Sequence, residues 1–144
     1  MSSNLFAGAW KLVTFEFRKM DGEVIYPFGA EAQGTIIYTE SGRYSGQLMR
    51  RNRPRFAIPD QLMGTVEEIQ AAYKGSISYF GTYEVDLENK VINHFVEGSL
   101  FPNMEGSNQK RSFELAEGKL TLRTQPFKVK GEKVVGILQW EKIE

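Results

Sequence analysis

The chain has 144 residues, 41% of them hydrophobic, with 18 Lys plus Arg balancing 18 Asp plus Glu, and it has no cysteine. That length suits one hydrophobic core, so a single domain over residues 1–144 is expected. Zero net charge gives no long-range attraction to nucleic acid or an anionic membrane, and the lack of thiols removes a disulfide framework, a thiolate metal site and a cysteine nucleophile. The opening M-S-S-N-L-F-A-G has neither a basic n-region nor an apolar h-region, and no later run approaches the roughly 20 apolar residues of a membrane-spanning helix. A cytoplasmic protein is the expectation.

The first strand reads from Gly8 to Phe17 as G-A-W-K-L-V-T-F-E-F. Alternation from Trp10 through Leu12 and Thr14 turns Glu16 inward, yet Val13, Phe15 and Phe17 make the opposite face more apolar, so two registers remain open. Asp21-Gly22 marks a tight turn. Glu23 to Tyr26 has room to pair back briefly before Pro27 and Gly29, but is assigned to a long loop, because an odd-numbered meander would leave its first and last strands parallel. Strands Gly34 to Thr39 and Arg43 to Arg50 flank the hairpin connection Glu40-Ser41-Gly42.

Arg50, Arg51, Arg53 and Arg55 follow, read as partners for Asp60, Glu67 and Glu68 or as a steering patch for an anionic ligand; without interleaved aromatics they do not suggest nucleic acid. A helix is predicted from about Val66 to Lys74, with Thr65 and Glu68 at capping-box spacing and Gly75 as a left-handed stop. Val66, Ile69 and Tyr73 share one face, which should lie against the sheet. From Ser76 onward the alternation is clearer. One face carries Ile77, Tyr79, Gly81, Tyr83 and Val85, then Ile92, His94, Val96, Gly98 and Leu100, then Arg111, Phe113 and Leu115. Leu120 and Leu122 follow, then Val134, Gly136, Leu138 and Trp140.

This pattern predicts an all-β, antiparallel up-and-down barrel of about eight strands, with one short helix between the third and fourth strands. The last strand would return to the first and bring Gly8 and Trp10 together with Trp140 at a closed end. A barrel of that size holds one small ligand.

The pieces G-A-W-K-L-V, Y-T-E-S-G-R-Y-S-G-Q-L-M-R, R-P-R-F, S-Y-F-G-T-Y-E-V, H-F-V-E-G-S-L-F-P-N, R-S-F-E-L and V-V-G-I-L-Q-W-E resemble, in that order, the bacterial and fungal lipocalin-like domain family, a branch of the calycin barrels. The resemblance implies an antiparallel barrel around a small-molecule pocket, with no assigned chemistry. Fatty-acid-binding relatives in the wider superfamily hold a carboxylate with an Arg-x-Tyr pair. Here that position reads Arg111-Ser112-Phe113, so the arginine is present and the tyrosine is not.

His94, the only histidine, has four readings: a hydrogen-bonded core residue, a group orienting a ligand, an acid or base, or an axial ligand to haem. Arg111 needs an anion or carbonyls if it faces inward, and Glu16 is its candidate internal partner. Around them Tyr38, Tyr44, Tyr79, Tyr83, Phe113 and Leu100 would line a pocket for an aromatic or polycyclic molecule with a polar end. No phosphate loop, nucleophile elbow or paired-histidine metal motif is present, and no cofactor is called for. The leading expectation is therefore a non-enzymatic carrier or sensor of a small apolar or aromatic molecule. The alternatives are an isomerase, cyclase or accessory protein of natural-product metabolism using His94 or Glu16 for proton transfer, haem binding through His94, and a small interaction domain with a filled core. An exposed strand face leaves a homodimer open.

Overall fold

The chain forms β1 (Gly8–Lys19), β2 (Val24–Ile25), β3 (Gln33–Tyr38), β4 (Arg43–Met49), α1 (Val66–Lys74), β5 (Ser76–Asp86), β6 (Val91–Ser99), a short 3-10 turn (Pro102–Met104), β7 (Asn108–Ala116), β8 (Lys119–Thr124), β9 (Phe127–Val129) and β10 (Glu132–Lys142). The computed structural model describes residues 4–144, so the first three residues of the N-terminal stretch read for a targeting signal lie outside it. The strands make one antiparallel sheet in the order β2-β1-β3-β4-β5-β6-β7-β8-β10-β9, and β1 also pairs with β10. β1, β3 to β8 and β10 thus close an eight-strand barrel, while β2 and β9 are short ribbons on its rim.

The count corrects one expectation. Val24 and Ile25 pair with Arg18 and Phe17, so the segment read as loop contributes a short strand. The helix therefore follows β4, rather than lying between the third and fourth strands. No helix among the described residues is long and apolar enough to cross a membrane.

A bulge settles the first strand. Leu12 pairs with Trp140 and Thr14 with Gln139, which leaves Val13 as the extra residue. One inserted residue flips every side chain after it to the other face. Trp10 and Leu12 therefore point in before the bulge, and Phe15 points in after it. Thr14 Oγ1 bonds Gln139 and Glu16 pairs with Arg18 at 2.8 Å, both on the outside. Both sequence registers were right, each for its own half.

Closure joins the two ends of the chain. Ala9 N–H donates to the Glu144 carbonyl and Ile143 N–H to that of Ala9. Gly8 sits at φ 132°, and a side chain there would collide with the Glu144 carbonyl, so glycine is required on both counts. Trp10 stands opposite Lys142 and Trp140 opposite Leu12, so the two tryptophans occupy successive inward positions on the β1–β10 pair. The end near Trp10 is plugged by Phe6, which meets Tyr38 and Phe113 edge-to-face at 5.4 and 5.0 Å.

The helix has the predicted bounds and a complete capping box: Thr65 Oγ1 accepts from Glu68 N–H, and the Glu68 carboxylate accepts from Thr65 N–H. Two other helix expectations fail. Gly75 is not left-handed, with φ −98°; it is small because a side chain would crowd the stems of Arg50 and Arg53. Val66, Ile69 and Tyr73 are not buried against the barrel but remain 65%, 46% and 45% exposed, and of the three only Tyr73 reaches the rim of the barrel interior. Arg53 donates to the Ala72 carbonyl near the helix C-terminus, tethering that end from the loop side.

The arginine run likewise avoids its expected acidic partners. Arg50 donates to the Pro27 carbonyl and Arg51 to that of Glu31, while Glu68 is occupied by the backbone N–H groups of Ala57 and Thr65. The run pins loops through carbonyls rather than through ion pairs.

Candidate functional site

Above the plugged end the barrel encloses a cavity of about 670 Å³ that opens between α1, the β6–β7 connection and β9. That volume lies in the range of small-molecule sites, roughly 300 to 1,000 Å³. Its deep wall is apolar, with Phe15, Ile36, Leu48, Leu122, Leu138 and Trp140. Small residues keep it open: Gly46 and Gly136 occupy inward positions where a larger side chain would fill the space.

The side chains singled out from the sequence divide by depth. Arg111, Tyr79 and Leu100 line the cavity. Tyr38, Tyr44, Tyr83, His94 and Phe113 also face inward but are packed beneath it, each at most 6% exposed. Glu16 is outside the barrel on its bonded partner Arg18, which corrects the inward cluster of Glu16, His94 and Arg111. Trp140, expected to serve closure alone, stands on the cavity wall; Trp10 does not. The reach of α1 was not legible either, yet its Tyr73 and Lys74 form part of the mouth.

His94 is held on both sides. Its Nδ1 lies 3.2 Å from the Gln109 carbonyl, which only accepts, so Nδ1 carries the proton and donates. Nε2 then accepts from the Tyr38 hydroxyl at 2.7 Å. Burial, reinforced by the Arg111 guanidinium, pushes the imidazole down to about 3, so it is neutral at physiological pH. Tyr38 and Tyr44 shift upward, chiefly because burial disfavours their phenolates. The Tyr83 hydroxyl donates to the Thr39 carbonyl and accepts from Asn4, tying the N-terminal plug to the β3–β4 turn. This layer is a hydrogen-bonded polar network beneath the cavity, in which the Tyr44 hydroxyl lacks a protein partner among the described residues.

Arg111 is different. Nη1 donates to the Lys110 carbonyl at 3.0 Å, and among the described residues no carboxylate lies within ion-pair distance. A partly buried guanidinium directed at an apolar cavity can donate to a carbonyl, a hydroxyl or an anion held there. Position, rather than residue type, therefore distinguishes the groups that can touch a ligand from those that support the floor beneath it.

Comparison with known proteins agrees with this arrangement. The chain is similar to the 4'-hydroxy-3'-methoxypropiophenone carrier protein ppsC of Aspergillus oryzae, 31% identical over 106 residues that cover 69% of this chain and 96% of the relative. Residues 7–143 match the family described as the lipocalin-like domain. With the barrel, its internal cavity and that match in hand, the chain belongs to the lipocalin-like domain family.

Proposed function

We propose that the protein is a carrier for a small aromatic molecule bearing an oxygen function, held in the barrel without chemical change. The observation that carries this reading is the cavity itself, an apolar chamber with Arg111 and Tyr79 as polar contacts on its wall. The name of the A. oryzae relative supports a substituted phenyl ketone as the ligand class. Such a molecule would set its ring among Phe15, Leu48, Leu138 and Trp140 and direct an oxygen toward Arg111.

The readings that use His94 as a proton-transfer group or haem ligand have less support. Its two nitrogens are engaged, its ring is off the cavity wall, and its low basicity suits a structural role. Glu16 has no access to the chamber.

The test is a calorimetric and fluorescence titration with 4'-hydroxy-3'-methoxypropiophenone, the compound in the relative's name. Saturable one-to-one binding with a change in indole emission is expected. Trp140→Phe should remove most of the emission change, since Trp140 lines the cavity and Trp10 does not. Arg111→Met should weaken binding at least tenfold, the loss of one charge-assisted hydrogen bond of about 1.5 to 3 kcal/mol. No binding up to the solubility limit of this compound and its unsubstituted parent would refute the carrier reading.

A further inference from the structure

The charged groups around the cavity have one sign. Lys74, Lys110 and Arg111 line it, and among the described residues no aspartate or glutamate does. None of the three cations is in an ion pair within the described residues, although the chain as a whole is neutral. Of the acidic groups near these strands, Glu97 is engaged by Arg43 and Glu114 by Arg123 outside the barrel, and Glu105, in the β6–β7 connection, accepts from the Ser99 N–H. Charge has been separated, with positive groups left at the chamber.

We infer that the cavity binds its aromatic ligand as an anion, taking an acidic hydroxyl or carboxyl group in its ionised form beside Arg111. The inference rests on the carrier reading and adds the ligand's charge state. Lys74 and Lys110 are exposed and screened by solvent, so they contribute mainly to attraction at the mouth. Arg111 is half-buried and less screened, and a neutral ligand would cover its guanidinium without supplying a counter-charge. An anion removes that cost.

Other titratable groups do not oppose this. On the wall, β5 offers Tyr79 and α1 offers Tyr73 beside Lys74; β7 gives Lys110 and Arg111. Beneath it lie Tyr38 of β3, Tyr44 of β4 and His94 of β6, all neutral at physiological pH. β1, β8 and β10 place no titratable side chain on the wall. The reach of Arg111 is visible in these neighbours: its charge opposes protonation of His94 and favours the phenolates of Tyr38 and Tyr44. A ligand hydroxyl closer to the guanidinium meets the same field.

Ionisation transfers the ligand proton to bulk buffer, so binding and pH are linked. A fall of one unit in the ligand's pKa on binding is the same statement as tenfold tighter binding of the anion than of the acid. The experiment uses the full-length protein with para-hydroxypropiophenone and its para-methoxy ether, following the phenolate absorbance band of the bound phenol through a pH titration. The bound phenol should ionise at least one unit below the free compound, and its affinity should rise with pH between the two midpoints. The ether's affinity should stay flat. Arg111→Gln, checked for fold by circular dichroism, should abolish the shift. An unshifted phenol that binds as well as its ether would overturn the anion inference and leave the carrier reading standing. If neither compound binds, both readings fall.

Discussion

Trp10→Ala should destabilise the protein by about 3 to 5 kcal/mol, the cost typical of emptying a large buried aromatic site. Trp10 is 1% exposed and sits where the sheet closes, on β1 between Ile36 of β3 and Lys142 of β10. Its Nε1–H donates to the Phe6 carbonyl at 2.9 Å, and the Lys142 ammonium lies 5.6 Å from its ring centroid. Truncation would therefore remove packing at the seam, an orienting hydrogen bond on the plug and a cation–π contact together. Urea unfolding followed by far-ultraviolet circular dichroism measures the effect. A midpoint close to wild type would mean that the seam does not depend on this side chain. At Trp140 the same truncation would also enlarge the cavity, so only Trp10 separates stability from binding.

Acidification should expose the other large effect. His94 is held neutral by burial, with a folded value of about 3 against an ordinary 6.5. The sign follows from proton counting: between those values the unfolded chain binds a proton that the folded chain refuses, so stability falls as pH falls. The loss begins near pH 6.5, is complete near pH 3, and this group adds no pH dependence above that window. Its full size is of order 5 kcal/mol, from a fall of about 3.5 units. Urea midpoints measured through the window for wild type and His94→Gln should differ in slope, the variant lying flatter. Glu68, Asp86 and Glu114, whose carboxyls are held below their usual range by the Thr65 backbone, Asn89 and Arg123, add acid sensitivity to both proteins and cancel in the difference. Parallel slopes would show that His94 is protonated in the folded state.

Both predictions draw on features only partly legible in the chain. The eight strands of the barrel, the helix bounds and most of the inward set of β5 to β8 were readable because they rest on local periodicity, turn residues and a capping box, which act within a few residues; the exception is Gly98, which a bulge at Glu97 sets opposite the outward Phe80. Parity counts against the brief β2 pairing in the sequence, because a ninth strand in the meander would leave the first and last strands parallel; β2 instead pairs with β1 on the rim, outside the count of the closed barrel. On β1 the sequence showed apolar residues on both faces; the bulge at Val13 reconciles them, and only pairing with β10 can create it. The exposed stripe of α1 is a similar case, for the local signals that start and stop a helix say nothing about what lies under it.

For the site, residue chemistry and alternation were enough to mark Arg111, Tyr79 and His94 as inward, whereas Leu100 lies beyond the end of β6, past a bulge that reverses the alternation, and reaches the cavity only at its mouth. Depth was not in the sequence. Whether an inward side chain reaches the cavity or the plug depends on the stagger of eight strands around the barrel, a property of the closed sheet rather than of any strand. That stagger sends Tyr38 and His94 to the floor, lifts Arg111 to the chamber and turns Trp140 from a seam residue into part of its wall.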